Sequence, residues 1–324
     1  MAEPSTKNCS TPLLAEPSAR RATLAPRIAI FTDELDWHVE RLAKGFARHG
    51  ARAVPVRLGA CKIDTTRPQH IAIPGFHGAL PDAAVVRAIG DGSLETITLR
   101  LGVLHALDAL GVPLVNSARA IERCTDKSAA SFLLAAARIP TPATFVTGSR
   151  GEALRIIRSE CGLGPLVLKP LFGAQGWGLK LVRREEDLPT EEEARGVFYL
   201  QRFVAPRDVW YEDMRILVSH GEIIGAMRRR SRRWITNVRQ GAQPTPCEPT
   251  ARERELALRA TAALGADFAG VDIISGADGL PMVLEVNSMA GWSGLQSVTP
   301  FQIAERVAGD ILAAIGSAAR RAHG

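Results

Sequence analysis

Two apolar runs near the C-terminal end, Val271-Asp272-Ile273-Ile274 and Met282-Val283-Leu284-Glu285-Val286-Asn287, flank Asp278-Gly279. An Asp-Gly pair between such runs is a strong hairpin signal, because a two-residue type I′ turn needs positive φ at both central positions. Centring the turn there pairs Ala277 with Leu280 and, counting outward, sets Asp272 opposite Glu285. Pro281 then falls at a position that makes no ladder bond, where its missing N–H costs nothing. Val271, Ile273, Met282, Leu284 and Val286 are expected on one apolar face. Any fold that accepts this hairpin has to bury that face and to answer the charges on the other.

The polar face carries two carboxylates roughly 4.5–5.5 Å apart at Cβ, with Asn287 beside them. Like charges held opposite one another destabilise a sheet unless something neutralises them. Three hard oxygen donors converging on one spot suit Mg²⁺, which takes few protein ligands and fills its shell with phosphate oxygens. The competing reading is an exposed strand face with incidental acids. If the metal reading holds, Asp272→Asn and Glu285→Gln both lose turnover without unfolding.

A second segment, Pro165-Leu-Val-Leu-Lys169-Pro-Leu-Phe-Gly173-Ala-Gln-Gly176-Trp-Gly178-Leu-Lys180, reads as strand, glycine flap, strand. Glycines at 173, 176 and 178 let the backbone approach a ligand closely and offer N–H groups to phosphate oxygens. The spacing is not that of a Walker loop, and no helix follows as a dinucleotide fingerprint requires. Lys169, ending an apolar strand, would point its ammonium at a phosphate. A plain glycine hairpin accounts for the same residues equally well.

The run Arg228-Arg229-Arg230-Ser231-Arg232-Arg233-Trp234 puts five arginines in six positions. Such a run fits a nucleic-acid patch. It also fits one or two arginine forks reaching an anionic substrate from the end of a strand, with the rest solvated. A net charge of +6 attracts anions without choosing among them, and an aromatic content of 5% leaves few stacking platforms for single-stranded nucleic acid. The five cysteines are scattered and include no Cys-x-x-Cys pair, which argues against a disulfide framework or a zinc site. The seven histidines lack metal-ligand spacing. With no apolar run of membrane-spanning length and no secretory signal pattern, the expectation is a cytoplasmic protein.

Along the chain, residues 1–26 read as a disordered leader rich in Ser, Thr, Pro and Ala. Strands over 27–31, 54–58, 70–73 and 112–115 alternate with helices over 37–49 and 94–110, predicting a small parallel α/β domain over 27–118. The character then changes. Helices are expected over 127–137, 183–195, 253–264 and 303–319. Strands are expected over 166–169, 179–182, 198–203, 214–218 and 222–227, before the hairpin.

Taken in order, Cys-Thr-Asp-Lys127, Leu-Val-Leu-Lys169 with its flap, Leu-Gln201-Arg-Phe-Val, Asp213-Met-Arg215, Ala-Gly-Val-Asp272 and Leu-Glu285-Val-Asn287 resemble an ATP-grasp ligase. The narrower resemblance is to the RimK-like α-L-glutamate ligases, and it runs from about Asn116 to Gln296. It implies an α/β ATP-grasp fold, two α+β lobes gripping ATP, over 119–196 and 197–324 behind the N-terminal domain. It also implies ATP and two Mg²⁺ ions, with Mn²⁺ as a possible substitute, and a homo-oligomer. By that resemblance Lys127 and Lys169 contact ATP phosphates, and Gln201, Arg202, Phe203 and Val204 lie against the adenine. Asp213 and Asn237 face the nucleotide or acyl-phosphate region, Arg215 and Arg228 stabilise the transferring phosphoryl group or a substrate carboxylate, and Asp272, Glu285 and Asn287 hold the metal ions. Arg229 and Trp292 are candidate substrate contacts.

Three departures stand out: Arg202 replaces an acidic residue, Asn287-Ser-Met-Ala-Gly291 replaces Asn-x-Ser-Pro-Gly, and Ile235 replaces an arginine. The tail Gly291-Trp-Ser-Gly-Leu-Gln296 is similar to a subgroup that glutamylates tetrahydromethanopterin-type one-carbon coenzymes. The implied chemistry is transfer of the γ-phosphate to a substrate carboxylate, then attack by an amine, the α-amino group of L-glutamate, on the acyl phosphate of a coenzyme or peptide acceptor. The alternatives are another ATP-grasp activity, a D-alanine–D-alanine-type ligase or a small-molecule kinase, and, from a different class, a basic nucleic-acid-binding protein.

Overall fold

The parallel sheet of the N-terminal unit has strand order Arg52–Val56, Arg27–Phe31, Ala83–Val86, Leu114–Val115. The computed structural model describes residues 25–173 and 175–322, so the expected leader, save its last two residues, lies outside the described residues. Ile28 to Phe31 are buried, as expected for a parallel strand covered on both faces. Helix Trp37–Arg48 starts at Asp36, whose carboxylate accepts from the Val39 N–H at 2.9 Å. Its Val39, Leu42 and Phe46 pack on one face together with Ile303 and Val307 of the C-terminal helix Ile303–Ala322. Helix Leu94–Ala109 covers the other face through Val103, Leu104 and Leu107.

The second sheet is antiparallel, in the order Thr144–Thr147, Phe198–Arg202, Leu166–Lys169, Lys180–Val182, and helix Arg150–Glu160 backs it through Ala153 and Ile157. Two expectations need correction here. Strand Phe198–Arg202, expected to open the following lobe, is an inner strand of this sheet, with Tyr199 opposite Lys169. No helix spans 183–195. That segment holds a short 3₁₀ turn, Glu185–Asp187, in which Asp187 accepts from the backbone N–H groups of Arg183 (2.8 Å) and Arg184 (3.2 Å). Side chains that bond their own backbone compete with helix formation, and Pro189 removes a further donor.

The third sheet runs Gln243–Pro246, Glu222–Ser231, Tyr211–Ser219, Phe268–Ser275, Pro281–Asn287, all antiparallel. Helix Ala251–Leu264 covers one face, opened by a capping box between Thr250 and Glu253 and closed at Gly265 with φ +72°. Helix Lys127–Ala136, expected in the first lobe, also packs on this sheet through Ala130 and Leu134, as does helix Ala118–Thr125, which was not expected, through Ala120. Leu217, Met227 and Phe268 on the opposite face meet the N-terminal unit.

The hairpin joins Asp272 to Glu285 as expected, but by a different register. Ser275 pairs Pro281 and Ile273 pairs Val283, and a bulge between Asp272 and Ile273 restores the Asp272–Glu285 pairing. Val271, Ile273, Val283 and Val286 form the buried apolar face, whereas Met282 and Leu284 are only partly buried. No described helix is long and apolar enough to cross a membrane.

Candidate active site

A cleft lies between the second and third sheets. Its walls include Lys127, Lys169, Gln201, Phe203, Val204, Asp213, Arg229, Asn237, Asp272 and Glu285. These residues come from well-separated parts of the chain, and strand parity explains why they meet. On strand Glu222–Ser231 burial alternates, so Arg229 is 2% exposed and turned to the cleft while Arg228 and Arg230 are exposed.

At the back of the cleft sits an ion network. Asp272 Oδ1 accepts from Arg215 Nε and Oδ2 from Arg215 Nη2, both at 2.7 Å, and Arg229 Nη2 lies 3.0 Å from the same Oδ2. Arg229 Nε also donates to Asp213 Oδ1 at 2.6 Å, its Nη2 donates to Asp213 Oδ2, and the Thr236 hydroxyl adds a bond to that oxygen at 2.7 Å. Burial pushes the Asp272 carboxyl up, but the guanidinium groups of Arg215 and Arg229 outweigh it and hold the carboxyl down at about 2. The cation that the opposed carboxylates demanded is therefore supplied at Asp272 by two arginines.

Glu285 and Asn287 are different. Among the described residues neither side chain makes a hydrogen bond or ion pair; both are partly exposed, Glu285 lines the cleft, and Asn287 lies two residues further along the same strand. Two unengaged oxygen donors, with one lone-pair site left on Asp272, fit Mg²⁺, which needs only one or two carboxylates and completes its shell elsewhere. No group of three His, Cys, Asp or Glu side chains able to hold a metal ion occurs among the described residues, so phosphate oxygens would have to complete it.

Lys169, 8% exposed, donates to Gln201 Oε1 at 2.6 Å. Gln201 Nε2 in turn donates to Thr144 Oγ1 (3.0 Å) and Tyr199 Oη (3.2 Å), and Tyr199 Oη lies 2.8 Å from Ser131 Oγ. Gln201 thus aims the lysine from the wall of the cleft. Burial lowers the Lys169 pKa to about 8, with Glu285 pulling it back up and Lys127 pushing it down. An incoming polyphosphate favours the protonated amine. Its affinity is expected to be flat below about pH 7 and to fall once pH rises through about 8, with the break absent in Lys169→Arg. Titrating an ATP analogue from pH 6 to 10 checks this, and superimposable wild-type and variant profiles would refute it.

The glycine flap closes onto the loop after the arginine run. Gln240 Nε2 donates to the Gln175 carbonyl at 2.8 Å, and Lys127 Nζ donates to the Gly173 carbonyl at 2.8 Å. A Cβ on Gly176 would sit 2.5 Å from Asn237 Oδ1 and 2.7 Å from Ile235, in a backbone with φ +73°. Gly178 instead packs against the Pro170 ring and is a turn residue.

Arg228 and Trp292 are not brought to the cleft, and Arg202 reaches it only in part. Arg228 points to the opposite sheet face, where it pairs with Glu212 at 3.2 Å. Trp292 is 1% exposed, edge-on to His38 (ring centroids 4.7 Å) and Phe268 (5.7 Å), and cannot touch a substrate from there. Arg202 lines the cleft, but its guanidinium turns away to the Glu160 carboxylate and the Gly164 carbonyl. Conversely, Tyr211, Trp234, Thr236, Ile274 and Leu284 line the cleft without having been anticipated. Phe203 stands edge-on to Trp234 at 6.1 Å, giving the cleft an aromatic wall. An aromatic next to the arginine run was the available signal for Trp234; the bulge hid Leu284.

Residues 124–311, more than half of the chain, match the RimK-like ATP-grasp domain. The chain is 32% identical over 299 residues to the tetrahydromethanopterin:alpha-L-glutamate ligase of Methanococcus maripaludis, covering 88% of this chain and 98% of that one. It is 36% identical over 234 residues to the ligase of the same name from Methanocaldococcus jannaschii, covering 70% and 77%. Among solved structures it is similar to a RimK domain protein of Sphaerobacter thermophilus, with 25% identity, TM-score 0.64 and coverage of 88% and 99%. It is also similar to the ATP-grasp ligase PsnB complexed with minimal precursor, Mg and ADP, with 22% identity, TM-score 0.67 and coverage of 90% and 98%.

Proposed function

This chain belongs to the RimK-like ATP-grasp family, and from that membership we propose that it is an ATP-dependent carboxylate–amine ligase that adds L-glutamate to a one-carbon coenzyme of the tetrahydromethanopterin type. The observation that carries the reading is the single cleft in which a buried lysine, a glycine flap and the Glu285 side chain face one another. The extensive match to relatives named for glutamate ligation supports the choice of amine and acceptor.

The assignment of roles follows the geometry. Lys169, aimed by Gln201, and Lys127 bind phosphate oxygens, while the flap over Gly176 shuts water away from an acyl phosphate. Phe203, Val204 and Leu284 form the apolar seat for the base, and Arg202 contributes only backbone there. Arg215 stabilises charge on the transferring phosphoryl group or on the substrate carboxylate from its place beside Asp272. Asn237 sits where the flap meets the next loop and closes the reacting space. Glu285 and Asn287, with the remaining lone pair of Asp272, would hold two Mg²⁺ ions. When bound, these ions neutralise the phosphate oxygens and polarise the γ-phosphate. No protein nucleophile is required; the chain positions and stabilises.

The test is ADP release by purified protein with ATP, Mg²⁺, L-glutamate and a reduced pterin coenzyme, or with an acidic peptide in its place. Glutamate-dependent ADP formation with the pterin, and a product heavier by a glutamyl residue, is the expected result. Formation with the peptide alone would move the acceptor class. ADP formation that ignores glutamate altogether would sink the ligase reading.

A further inference from the structure

The five residues after Asn287 are tied to the N-terminal unit by side chains that bond their backbone. Asn116, fully buried, donates to the carbonyls of Ser288 (2.6 Å) and Phe268 (2.7 Å) and accepts from the N–H groups of Asp267 (2.7 Å) and Phe268 (2.8 Å). Arg87 donates to the Ala290 carbonyl at 2.7 Å and stacks over the Trp292 ring at 4.8 Å. His38 Nε2 accepts from the Trp292 N–H at 3.1 Å, while its Nδ1 lies 3.0 Å from Asp36 Oδ2. The backbone N–H of Trp292 can only donate, so Nδ1 carries the ring proton and gives it to Asp36. Burial and the Arg87 charge lower the His38 pKa, which keeps Nε2 available as an acceptor.

Backbone groups of 288, 290 and 292 are thus tied to three side chains, each from a different part of the N-terminal sheet unit. The tie also reaches the cleft. Gly270 pairs with Asn287, and a Cβ there would lie 2.9 Å from Ala290 Cβ and 3.7 Å from Arg215 Cδ. Movement of the loop is therefore transmitted to Asn287 and to the Arg215 side chain.

We propose that His38 and Arg87 are positioning residues for the metal site: by bracing 288–292 they set where the Asn287 side chain points. The inference rests on the proposed role of Asn287. Supporting side chains behind a metal ligand typically change metal affinity about 10–100-fold when removed.

The experiment is Mn²⁺ binding, followed by electron paramagnetic resonance with a non-hydrolysable ATP analogue, for wild type, His38→Leu, His38→Gln and Arg87→Met. His38→Gln keeps an acceptor near Nε2. Expected is an approximately tenfold weaker Mn²⁺ affinity in His38→Leu and Arg87→Met, with His38→Gln close to wild type. Nucleotide affinity without metal should be unchanged in all four. Folding is followed by thermal melts, and Arg87→Lys serves if Arg87→Met does not fold. Lower melting temperatures with unchanged Mn²⁺ affinity would overturn the brace and leave the metal site standing. A wild-type protein that takes up no Mn²⁺ with nucleotide would remove both.

Discussion

Glu285→Gln is expected to lower magnesium-dependent turnover by about 10²–10³-fold, the scale of losing one preorganised charge at a reacting centre, and to leave the melting temperature unchanged. The side chain makes no hydrogen bond or ion pair among the described residues and is not fully buried. Removing its charge therefore strands no partner. Its loss should also lower the Lys169 pKa further, because Glu285, ahead of Asp272, is the larger of the two charges that offset the burial of that amine. Asp272→Asn should behave differently. It takes the charge out of a bidentate arginine clamp and so is expected to lose stability as well as activity. Steady-state kinetics beside thermal melts separate the two. Equal loss of stability in both variants would refute the distinction.

The largest stability effect is expected at Arg229. It is 2% exposed and lies between Asp213, 5% exposed, and Asp272, 3% exposed. In Arg229→Met, Asp272 keeps Arg215, but Asp213 keeps only the Thr236 hydroxyl. A buried carboxylate left without its partner costs about 3–5 kcal/mol. The sign with pH follows. Burial already holds the Asp213 carboxyl above the ordinary aspartate value of 3.8 against the pull of Arg229, and losing the guanidinium raises it further, so the deficit is greatest at neutral pH and shrinks as pH falls toward the folded-state value. Asp272 behaves oppositely in the wild type. Its carboxyl is held at about 2, so it contributes stability above pH 3.8 that is lost as pH falls through about 2. Urea unfolding at pH 7 and pH 5 measures the Asp213 trend, and extending it down through the pH window between 3.8 and about 2 measures that of Asp272. Asp213→Asn added to Arg229→Met should recover much of the loss. A deficit under about 1 kcal/mol at pH 7, the ordinary single-mutation scale, would show that the triad carries little stability.

The hairpin shows how sequence reasoning succeeds and where it stops. Counting from a two-residue Asp-Gly turn placed Asp272 opposite Glu285. The actual turn is longer, with Gly279 N–H bonded to the Gly276 carbonyl at 2.9 Å and Leu280 N–H to Asp278 Oδ1 at 3.0 Å. That slip of one residue is cancelled by the bulge at Asp272/Ile273. A bulge leaves little mark in local sequence, so Leu284 was put on the wrong face. Strand Ala83–Val86 escaped notice for another reason: Ala-Ala-Val-Val, buried on both faces, has no alternation to detect. The glycine flap, Lys169 and the two acids were legible because φ > 0 and uncompensated charge restrict residue choice. The neutralisation of Asp272 was not, because Arg215 and Arg229 reach it from two other strands.

Phe198–Arg202 lies in the second sheet, and the chain leaves it directly for strand Tyr211–Ser219 of the third. The other crossing is the short link between helix Lys127–Ala136 and strand Thr144–Thr147, pinned where the Pro140 carbonyl accepts from the Val283 N–H at 2.8 Å. Two covalent links define a hinge line, as on a door. Rotation about it separates points in proportion to their distance from the line. The 203–206 segment lies on it, and the Gly176 tip, resting on Asn237, lies away from it. The two lobes should therefore gape at the phosphate end while the base end stays nearly shut. Spin labels at 239 and at the neighbouring exposed flap position 177 should report a change on nucleotide release that a pair at 204 and 275 does not. Spent nucleotide would leave phosphates first, pivoting about its base.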